Sequence, residues 1–492
     1  MPPEQNKVVD SQHGPIPGRV HTQRRRFMQA GAATAMGSFM PSSAEAAVPE
    51  YVVNDVSGLN RTRVAGERRP RGTDDVQVAL REWSGAVCVG GGRYSMGGQI
   101  AHEGALHLDM RLMNQVVAFD PSRRTLRVQA GMTWRDVQDA IDPHGLAVAI
   151  MQSYSNFTVG GSVGVNCHGR YVGRGPIAHS IHALQLVTAS GDVLELTRDR
   201  EEALFRAAFG GYGGLGVITE VEISLDENTR IERAVVDVPL EYYPDYFRRD
   251  VLGDSRMVLH NADLRPPRFD VPRAVSWFRT EQPLTRLQRL VPRDLDYKLE
   301  KNAIWAISEL PGGSWVRERI VDRKLLKPRE VVWRNHEASL DAASLEPRTR
   351  HFSTYLLQEY FVPVERFVSF ARAMSRILQA RNVNALNVSI RHSPADQVSL
   401  LKWAPTDVFS FVLYYKQRTG LDARRVAGVW TRELIEAVLT HGGRYYLPYR
   451  LDATPEQFAR AYPEATAFAA LKRRIDPTYR FRNRLWDKYL VS

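Results

Sequence analysis

The 492-residue sequence contains very little cysteine, because Cys88 and Cys167 are its only two. Two cysteines cannot build the disulfide framework that holds many small secreted folds together. Since Cys88 lies in an apolar run and Cys167 in a glycine-rich stretch, we interpret both as small buried residues rather than as a redox pair. The fold must therefore depend on core packing, and a chain of this length predicts two globular domains.

Signals for membrane-spanning, metal-binding and nucleophilic proteins are missing as well. No uninterrupted apolar run approaches the ~20 residues that a transmembrane helix needs. The histidines are scattered without the spacing of metal ligands, so no metal site is predicted. A Gly-x-Ser-x-Gly elbow is absent, which leaves a serine-nucleophile mechanism without support.

The sequence has fewer acidic than basic residues. It contains 66 Lys and Arg but 55 Asp and Glu, which gives a formal net charge of +11. A basic protein can attract an anionic substrate, a membrane surface or nucleic acid. Acidic residues are nevertheless interspersed nearly everywhere along the chain. We therefore interpret the excess as arginine-rich solvated faces and predict no nucleic-acid partner.

Glycine is concentrated in three short stretches, residues 87–99, 158–169 and 209–219. The first opens with the apolar run 86–89, which predicts a buried strand. Its ending excludes a P-loop, and the lack of a following helix pattern excludes a G-x-G-x-x-G fingerprint. Glycine loops let a ligand approach the backbone and can direct N–H groups at an anion. A structural turn explains any one of them, but three together favour a large ligand lying along backbone.

The surrounding pattern predicts strands and helices. Residues 116–130 and 181–197 alternate as two hairpins, and Thr133 caps a helix over 134–142. Thr73 or Asp74 is predicted to cap an earlier short helix. Two later runs, Asn387–His392 and Val408–Tyr415, are predicted to be adjacent strands.

Five short motifs follow one another along the first half of the chain. They are Gly-Gly-Gly-Arg-Tyr-Ser, Leu-Asp-Met-Arg-Leu-Met-Asn, Val-Gln-Ala-Gly-Met-Thr-Trp, Thr-Val-Gly-Gly-Ser and Gly-Gly-Leu-Gly-Val-Ile-Thr. This order resembles the PCMH-type FAD-binding domain of the vanillyl-alcohol oxidase family, from residue 59 to residue 225 and again near the C-terminus. The resemblance implies an α+β fold of two domains. An FAD domain of two α+β subdomains would join a substrate domain whose antiparallel sheet is flanked by helices.

The resemblance and the change of pattern near Glu227 predict the domain boundaries. We place the FAD-binding domain at 47–228, the substrate domain at 229–440, and a C-terminal segment that returns to the FAD domain at 441–492.

The first 46 residues resemble a twin-arginine export signal. Arg24–Arg26 precede a mild apolar run at 30–40, and Ala44-Glu45-Ala46 resembles a signal-peptidase site. This pattern predicts a periplasmic or exported protein. A disordered basic tail is the alternative interpretation.

Residues 284–334 combine many Lys and Arg with Trp305, Trp315 and Trp333. We interpret this segment as a mobile amphipathic cover over the active site. Peripheral membrane contact or lipid-phosphate binding, which basic and aromatic residues together also fit, is the alternative.

The resemblance places FAD along the three glycine stretches. The implied pyrophosphate contacts are Gly90, Gly91, Gly92, Arg93, Tyr94, Ser95, Gly98 and Gln99. The second set of contacts is Gly160, Gly161, Ser162, Asn166 and His168. The adenosine end would meet Gly216, Val217 and Ile218, and Asn483 lies in the last flavin-contacting turn.

The mode of FAD attachment follows from the same comparison. Many family members tether the flavin through a histidine in a Gly-His-Ser sequence, where this chain has Arg93-Tyr94-Ser95. Doubly tethered members add a cysteine just before the second stretch, and residues 152–157 contain none. We therefore predict non-covalent FAD. The alternative is a tether through His168, which we interpret instead as a hydrogen-bonding loop residue.

The catalytic residues that the resemblance implies are only partly present. Cytokinin dehydrogenases place an aspartate base where this chain has Ser153. Aldonolactone and alditol oxidases have a Glu-x-Arg strand, of which Arg391 remains, as an aid to the reduced flavin or as a structural ion pair. Their later lysine falls on Tyr449 or Arg450. A tyrosine acts as a base if cations lower its pKa, so Tyr449 and Tyr415 are candidates, against the alternative of aromatic packing.

These features together predict an FAD-dependent oxidoreductase. The resemblance implies hydride transfer from a C–H bearing a hydroxyl to flavin N5, with reoxidation by dioxygen or another electron carrier. The predicted partner is a small sugar, polyol, lactone or similar alcohol. Two alternatives stay open: an exported dehydrogenase of a lipid-linked sugar at the membrane face, and a non-enzymatic flavin- or ligand-binding protein.

Overall fold

The structure is a computed structural model that describes residues 51–299, 301–302, 308, 329–347 and 349–490. Residues Glu50–Ser492 belong to one compact unit. The predicted export signal at 1–46 lies outside the described residues, as do Trp305 and Trp315. Within the described part of the chain, no helix has both the length and the hydropathy to cross a bilayer.

The strands are β1 (Tyr51–Val53), β2 (Thr62–Val64), β3 (Gly66–Arg68), β4 (Val87–Gly90), β5 (Leu106–Asp109), β6 (Val116–Asp120), β7 (Thr125–Gln129), β8 (Leu146–Val148), β9 (Ile181–Val187), β10 (Val193–Thr197), β11 (Val217–Glu227), β12 (Arg230–Asp237), β13 (Met257–Leu264), β14 (Arg273–Arg279), β15 (Val331–Trp333), β16 (Ser353–Pro363), β17 (Ala385–Ser393), β18 (Val408–Arg418) and β19 (Arg444–Tyr445).

The α-helices are α1 (Thr73–Glu82), α2 (Trp134–Ile141), α3 (Val159–Gly164), α4 (Glu202–Ala208), α5 (Tyr243–Tyr246), α6 (Arg334–Ala338), α7 (Phe367–Ala380), α8 (Leu421–Thr440), α9 (Pro455–Ala461), α10 (Ala465–Ile475) and α11 (Arg484–Tyr489). A π-helical turn, Phe247–Leu252, follows α5. Short 3₁₀ turns lie at Met110–Leu112, Asp142–His144, Ile177–Ser180, Leu240–Tyr242, Ala342–Leu345 and Val364–Arg366.

The first glycine stretch begins in β4, which belongs to a small parallel sheet with the strand order β3-β5-β4. The apolar run before the stretch is β4, which is mostly buried, so the predicted buried strand is confirmed. Helix α1 precedes this strand, but its N-cap is Gly72 rather than Thr73 or Asp74. The hydroxyl of Thr73 instead donates to the side chain of Gln185 on β9, because a neighbouring strand offers it a closer acceptor.

Next in the chain is a sheet with the antiparallel order β10-β9-β11-β7-β6, with β8 paired to the end of β11. It contains both predicted hairpins, β6–β7 and β9–β10. Helix α2 begins at the predicted cap, where Thr133 and Asp136 form a capping box.

An eight-stranded antiparallel sheet follows, with the order β15-β12-β14-β13-β17-β18-β16-β19. The predicted pairing of 387–392 with 408–415 is confirmed in β17 and β18. Because side chains alternate along each strand, the sheet has two different faces. One face packs on α7 and α8, through ring contacts such as Phe370 on Phe411 and Trp430 on Tyr415. The opposite face turns toward the glycine stretches.

The C-terminal segment packs against the first half of the chain. Phe481 forms a parallel bridge with Val87, and Asn483 donates to the carbonyl of Tyr212 at 2.8 Å. Lys472, only 1% exposed, donates to the carbonyl of Gly214 at 2.7 Å and to Asp476 at 2.9 Å. These contacts fasten the third glycine stretch to the end of the chain. The domain boundaries at 228 and 440 stay predictions.

Candidate active site

A cleft of about 1280 Å³, including its open mouth, lies between the first two glycine stretches and the open face of the eight-stranded sheet. The first stretch contributes residues 91–96 and the second contributes Thr158, Gly161 and His168. Strands β16, β17 and β18 contribute side chains that alternate with the helix-facing ones. The lining residues from these strands are Tyr355, Leu357, Glu359, Arg391, Val412 and Tyr414.

Backbone approaches backbone closely at the glycine-lined edge of the cleft. The Thr158 hydroxyl oxygen accepts from the N–H of Gly161 at 3.3 Å and from that of Gly92 at 3.4 Å, joining the two stretches. A Cβ on Gly91 would lie 2.2 Å from that oxygen, so only glycine fits there. This edge therefore offers a ligand peptide groups rather than side chains.

The end of the first stretch positions a distant tyrosine. The side-chain amide of Gln99 donates to the carbonyls of Leu447 at 2.7 Å and of Tyr449 at 2.8 Å. The N–H of Met96 donates to the carbonyl of Pro448 at 2.7 Å. Residues 447–449 are thus held against the loop, and Tyr449 lines the cleft.

A buried ionic cluster lies at the floor of the cleft. His168 Nε2 is 2.6 Å from Glu359 Oε1, and the Tyr449 hydroxyl donates to Glu359 Oε2 at 3.3 Å. His168 and Glu359 are 6% and 3% exposed. Burial alone would raise the pKa of Glu359, but His168 and then Arg391 lower it below its ordinary value. The carboxylate is therefore ionised at neutral pH.

Aromatic side chains wall the rest of the cleft. Tyr94 packs edge-on against Phe157, with ring centroids 4.5 Å apart, and burial raises the pKa of Tyr94 to about 12. Tyr154, Tyr355 and Tyr414 lie on the cleft's other walls. Flat apolar rings with polar edges suit a planar heterocycle or the face of a sugar ring.

The residues present fit FAD. Glycine backbone lines one edge of the cleft, and peptide groups without side chains over them suit a pyrophosphate. Four buried polar atoms of cleft-lining residues have no hydrogen-bond partner among the described residues: Arg93 Nε, Ser153 Oγ, His168 Nδ1 and Arg391 Nε. Buried polar groups are normally satisfied, so these atoms indicate that a ligand completes the site.

The structure brings only part of the predicted cofactor contacts to the cleft. Gly91, Gly92, Arg93, Tyr94, Ser95, Gly161 and His168 line it. The others meet protein instead: Gly90 packs on His107, Gly98 donates its N–H to Asp55, Gly160 packs on Ala130, Ser162 bonds Gln152, and Asn166 bonds Asp396 and Ser399.

The predicted adenosine end also lies away from this cleft. Val217 and Ile218 pair with β9 in the antiparallel sheet, and Gly216 packs under the carbonyl of Val187. Asn483 caps α11 and bonds Tyr212. Cofactor contact at these four positions stays a prediction.

The two tyrosines predicted as bases need correction. Tyr415 is 1% exposed and packs on Trp430 of α8, on the helix side of the sheet, so strand alternation places Tyr414 in the cleft instead. Tyr449 does line the cleft, but burial and then Glu359 raise its pKa well above the ordinary value, outweighing Arg391. Cations do not lower the pKa of Tyr449, which therefore keeps its proton.

Glu359 is the functional residue that sequence reasoning missed. It lies in the run Tyr-Leu-Leu-Gln-Glu-Tyr-Phe-Val, residues 355–362, where a carboxylate is surrounded by strand-forming apolar residues. A lone charge in a strand that is otherwise buried needs a partner. That signal was available in the sequence, although the identity of the partner, His168, was not.

Comparison with known proteins agrees with this geometry. A family model described as an FAD binding domain matches residues 65–197. The chain is 26% identical over 447 residues to decaprenylphosphoryl-β-D-ribose oxidase of Mycolicibacterium smegmatis, covering 82% of this chain and 91% of that protein. It is 23% identical over 442 residues to L-gulonolactone oxidase of Bos taurus, covering 85% and 94%. A shorter match, 28% over 216 residues, covers 41% of this chain and 36% of L-galactono-1,4-lactone dehydrogenase of Brassica oleracea.

Fold, cleft and sequence matches together define an FAD-dependent oxidoreductase. More narrowly, the FAD-binding domain at residues 65–197 and the full-length matches support the vanillyl-alcohol oxidase family with its PCMH-type FAD-binding domain. The predicted family, α+β fold and cofactor are confirmed.

Proposed function

We propose that this enzyme oxidises the hydroxyl-bearing carbon of a sugar-like alcohol or sugar lactone, with His168 as the base. Relatives named for ribose, gulonolactone and galactonolactone chemistry support the substrate class. The observation that carries the proposal is the buried His168–Glu359 pair at the floor of the cleft.

The pair assigns the proton on His168. Because the Glu359 carboxylate is ionised and can only accept, Nε2 of His168 carries the hydrogen in their 2.6 Å bond. In the neutral form of His168, Nδ1 then carries the lone pair, and Nδ1 has no partner among the described residues. Nδ1 is the atom that accepts the substrate's hydroxyl proton.

The remaining steps divide between the cofactor and the chain. When bound, FAD supplies the acceptor for the hydride that leaves the substrate carbon. Loss of that hydride and of the hydroxyl proton converts the C–OH group to C=O. The guanidinium of Arg391 favours the negative charge that develops on the substrate oxygen, and Tyr449 donates to Glu359 and holds it.

The test is the rate at which the bound flavin is bleached by candidate sugar alcohols and lactones without oxygen. We expect His168→Gln to slow this step by about 10²–10⁴-fold, the usual contribution of a general base, while the flavin spectrum is retained. The control is His182→Gln, since His182 is exposed and bonds Ser224 outside the cleft. An unchanged rate in His168→Gln would overturn the role of His168, and bleaching by none of these donors would overturn the substrate class.

We also propose that FAD is held without a covalent bond. Tyr94 occupies the position of the usual tethering histidine, and burial raises the pKa of the nearby Cys167 thiol, which keeps it protonated and unreactive. Acid precipitation of the protein tests this directly. Yellow colour should pass into the supernatant, and colour that stays in the pellet would contradict the proposal.

A second candidate substrate is a lipid-linked sugar at a membrane face. Residues 284–334 carry twelve Lys and Arg against seven Asp and Glu. In the described part of this segment, Leu287, Leu295 and Leu299 are 77%, 47% and 79% exposed. Residues 291–293, which lie between Leu287 and Leu295 in the sequence, line a hollow that shares Gly92, Tyr94 and Thr158 with the cleft.

Vesicle binding separates this candidate from a free sugar. We expect the protein to sediment with phosphatidylglycerol vesicles but not with phosphatidylcholine vesicles, and Leu287→Ser/Leu299→Ser to abolish the binding. Leu421→Ser is the control, since Leu421 is 82% exposed at the start of α8. Equal behaviour of wild type and the double variant would exclude membrane contact through these leucines.

Export through the twin-arginine pathway is likewise proposed from the sequence Arg24-Arg25-Arg26-Phe27. Replacement of the three arginines by lysine should retain the protein in the cytoplasm in a fractionation experiment. Continued export of that variant would contradict the proposal.

A further inference from the structure

Arg93 combines two features that the cofactor assignment leaves unexplained. It lies in the cleft-lining part of the first glycine stretch, and its φ of 63° is in the left-handed region that favours glycine. The three preceding residues are glycine, yet the strained position carries a long charged side chain. A residue of this kind persists only where its surroundings fix it, and such positions cluster at ligand sites.

The surroundings of Arg93 do fix it. Its Nη2 donates to Glu67 Oε2 at 2.9 Å and to Asp109 Oδ2 at 3.1 Å. Its carbonyl accepts from the N–H of Val56 at 2.9 Å. The side chain of Asp109 is 2% exposed and that of Arg93 is 20% exposed, so these ion pairs are shielded from solvent screening.

A neutral histidine completes the set. His107 Nε2 is 3.4 Å from Arg93 Nη2, and burial, together with the positive charge of Arg93, lowers the pKa of His107 to about 4. The uncharged ring can therefore lie beside the guanidinium without repulsion. Glu67 is on β3, and His107 and Asp109 are on β5, so the parallel sheet brings all three beneath the loop.

We propose that Arg93 is a positioning residue that presets the loop 90–95 for FAD before the cofactor binds. Nη2 of its guanidinium is committed to Glu67 and Asp109, and the left-handed backbone is the part that serves the cleft. Preorganisation of this kind raises affinity by removing the cost of ordering the loop on binding. The inference rests on the proposed non-covalent attachment, since it assigns to Arg93 the retention that a tether provides in other members of the family.

The experiment is titration of the apo-protein with FAD, followed by flavin fluorescence, in four variants. We expect Arg93→Lys and Glu67→Gln each to weaken FAD binding about tenfold, and the double variant to be no weaker than Arg93→Lys alone, because Arg93→Lys already removes the contact with Glu67. The matched control is Arg69→Gln. Arg69 bonds the same Glu67 carboxylate, but its side chain is 61% exposed and it is not part of the cleft lining. Its affinity should stay within about twofold of wild type.

Each outcome decides the proposal. If Arg93 instead bound FAD directly, Glu67→Gln would free its guanidinium and leave the affinity unchanged or tighter, and that result would overturn the positioning role. Additive losses in the double variant would overturn it as well. If Arg93→Lys fails to fold, Arg93→Gly serves, since glycine accepts the left-handed backbone and loses only the anchor. The Arg93→Gly protein should melt no lower as apo-protein but bind FAD more weakly.

The non-covalent attachment of FAD, on which this inference depends, is tested separately by acid precipitation. Flavin retained by acid-precipitated wild-type protein would remove the basis of this inference while leaving the base role of His168 testable by flavin bleaching. Failure of the substrate screen would not affect the FAD affinities. Failure of the inference on Arg93 can therefore be distinguished from failure of the proposed substrate class.

Discussion

The first and third glycine-rich stretches each contain five glycines but have different neighbours. Residues 91–96 of the first line the cleft, and a Cβ on Gly91 would lie 2.2 Å from Thr158 Oγ1 at its edge. The third stretch faces the C-terminal helices, and a Cβ on Gly214 would lie 2.5 Å from Trp486 Nε1. In both stretches glycine allows another part of the protein to pack closely on the backbone. Whether such a stretch borders a ligand site or the core depends on which residues surround it.

The largest effect should come from breaking the anchor of the third stretch. Lys472→Met leaves Asp476, which is fully buried, without its cation. We expect the free energy of unfolding to fall by about 3–5 kcal/mol, the usual cost of orphaning one member of a buried pair. Urea denaturation measures this. The exposed pair of Lys298 with Asp296 is the control, and Lys298→Met should leave the transition unchanged.

If Lys472→Met and Lys298→Met unfolded at the same urea concentration, the third stretch would not be held by its buried anchor. The comparison between the two stretches would then fail.

A ligand effect should follow from the matching change in the first stretch. We expect Gly91→Ala to weaken FAD binding about tenfold or more, because the new methyl group forces Gly91 and Thr158 apart at the cleft edge. Gly164→Ala is the control within a glycine stretch, since a Cβ at Gly164 meets no atom within 4 Å. Equal FAD affinities in the two variants would show that the edge does not contact the cofactor.

A smaller effect is expected on how the free energy of unfolding depends on pH, through Glu359 at the floor of the cleft. The folded protein holds the pKa of Glu359 below its ordinary value, so the stabilisation is present above the unfolded pKa and is lost as pH falls through the folded one. Below about pH 4.3, the usual Glu value, wild type should lose stability more steeply than Glu359→Gln, by up to about 1.4 kcal/mol per pH unit. Melting curves at a series of pH values measure the slopes. Glu365→Gln, at an exposed position, should track wild type.

The smallest effect distinguishes the two faces of β18. Tyr415 lies on the helix side and Tyr414 in the cleft, so Tyr415→Phe should leave kcat and KM for any accepted donor unchanged. Tyr414→Phe should change KM. Steady-state kinetics with the donor found by flavin bleaching decides this. A change in kcat caused by Tyr415→Phe would restore Tyr415 as a catalytic candidate.

Motifs close together in sequence predicted much of the fold. The buried strand before the first stretch, the two hairpins, the Thr133 cap and the pairing of β17 with β18 follow from local periodicity and turn residues, and the structure has them all. The predicted helix cap at Thr73 was wrong, because the Thr73 hydroxyl donates instead to a side chain 112 residues away in the sequence.

The site was less accessible to such reasoning because its members meet only through folding. His168 and Glu359 are 191 residues apart, and nothing near either residue in sequence points to the other. The face of β18 depends on the phase of a single strand, and the structure places Tyr414 rather than Tyr415 in the cleft. The direction of the pKa shift of Tyr449 depends on burial, which the sequence does not give.

The bridge between Val87 and Phe481 also constrains the order in which the nascent chain can fold. At the usual ~5–20 residues per second, the strand that carries the first glycine stretch waits roughly 20–80 seconds on the ribosome before its C-terminal neighbour is made. During that time the third stretch lacks Lys472, and the edge of β4 is uncovered. Because Tyr446, Pro448 and Tyr449 also line the cleft, the cleft is complete only near the end of synthesis, and we expect the flavin to join a finished chain rather than a growing one.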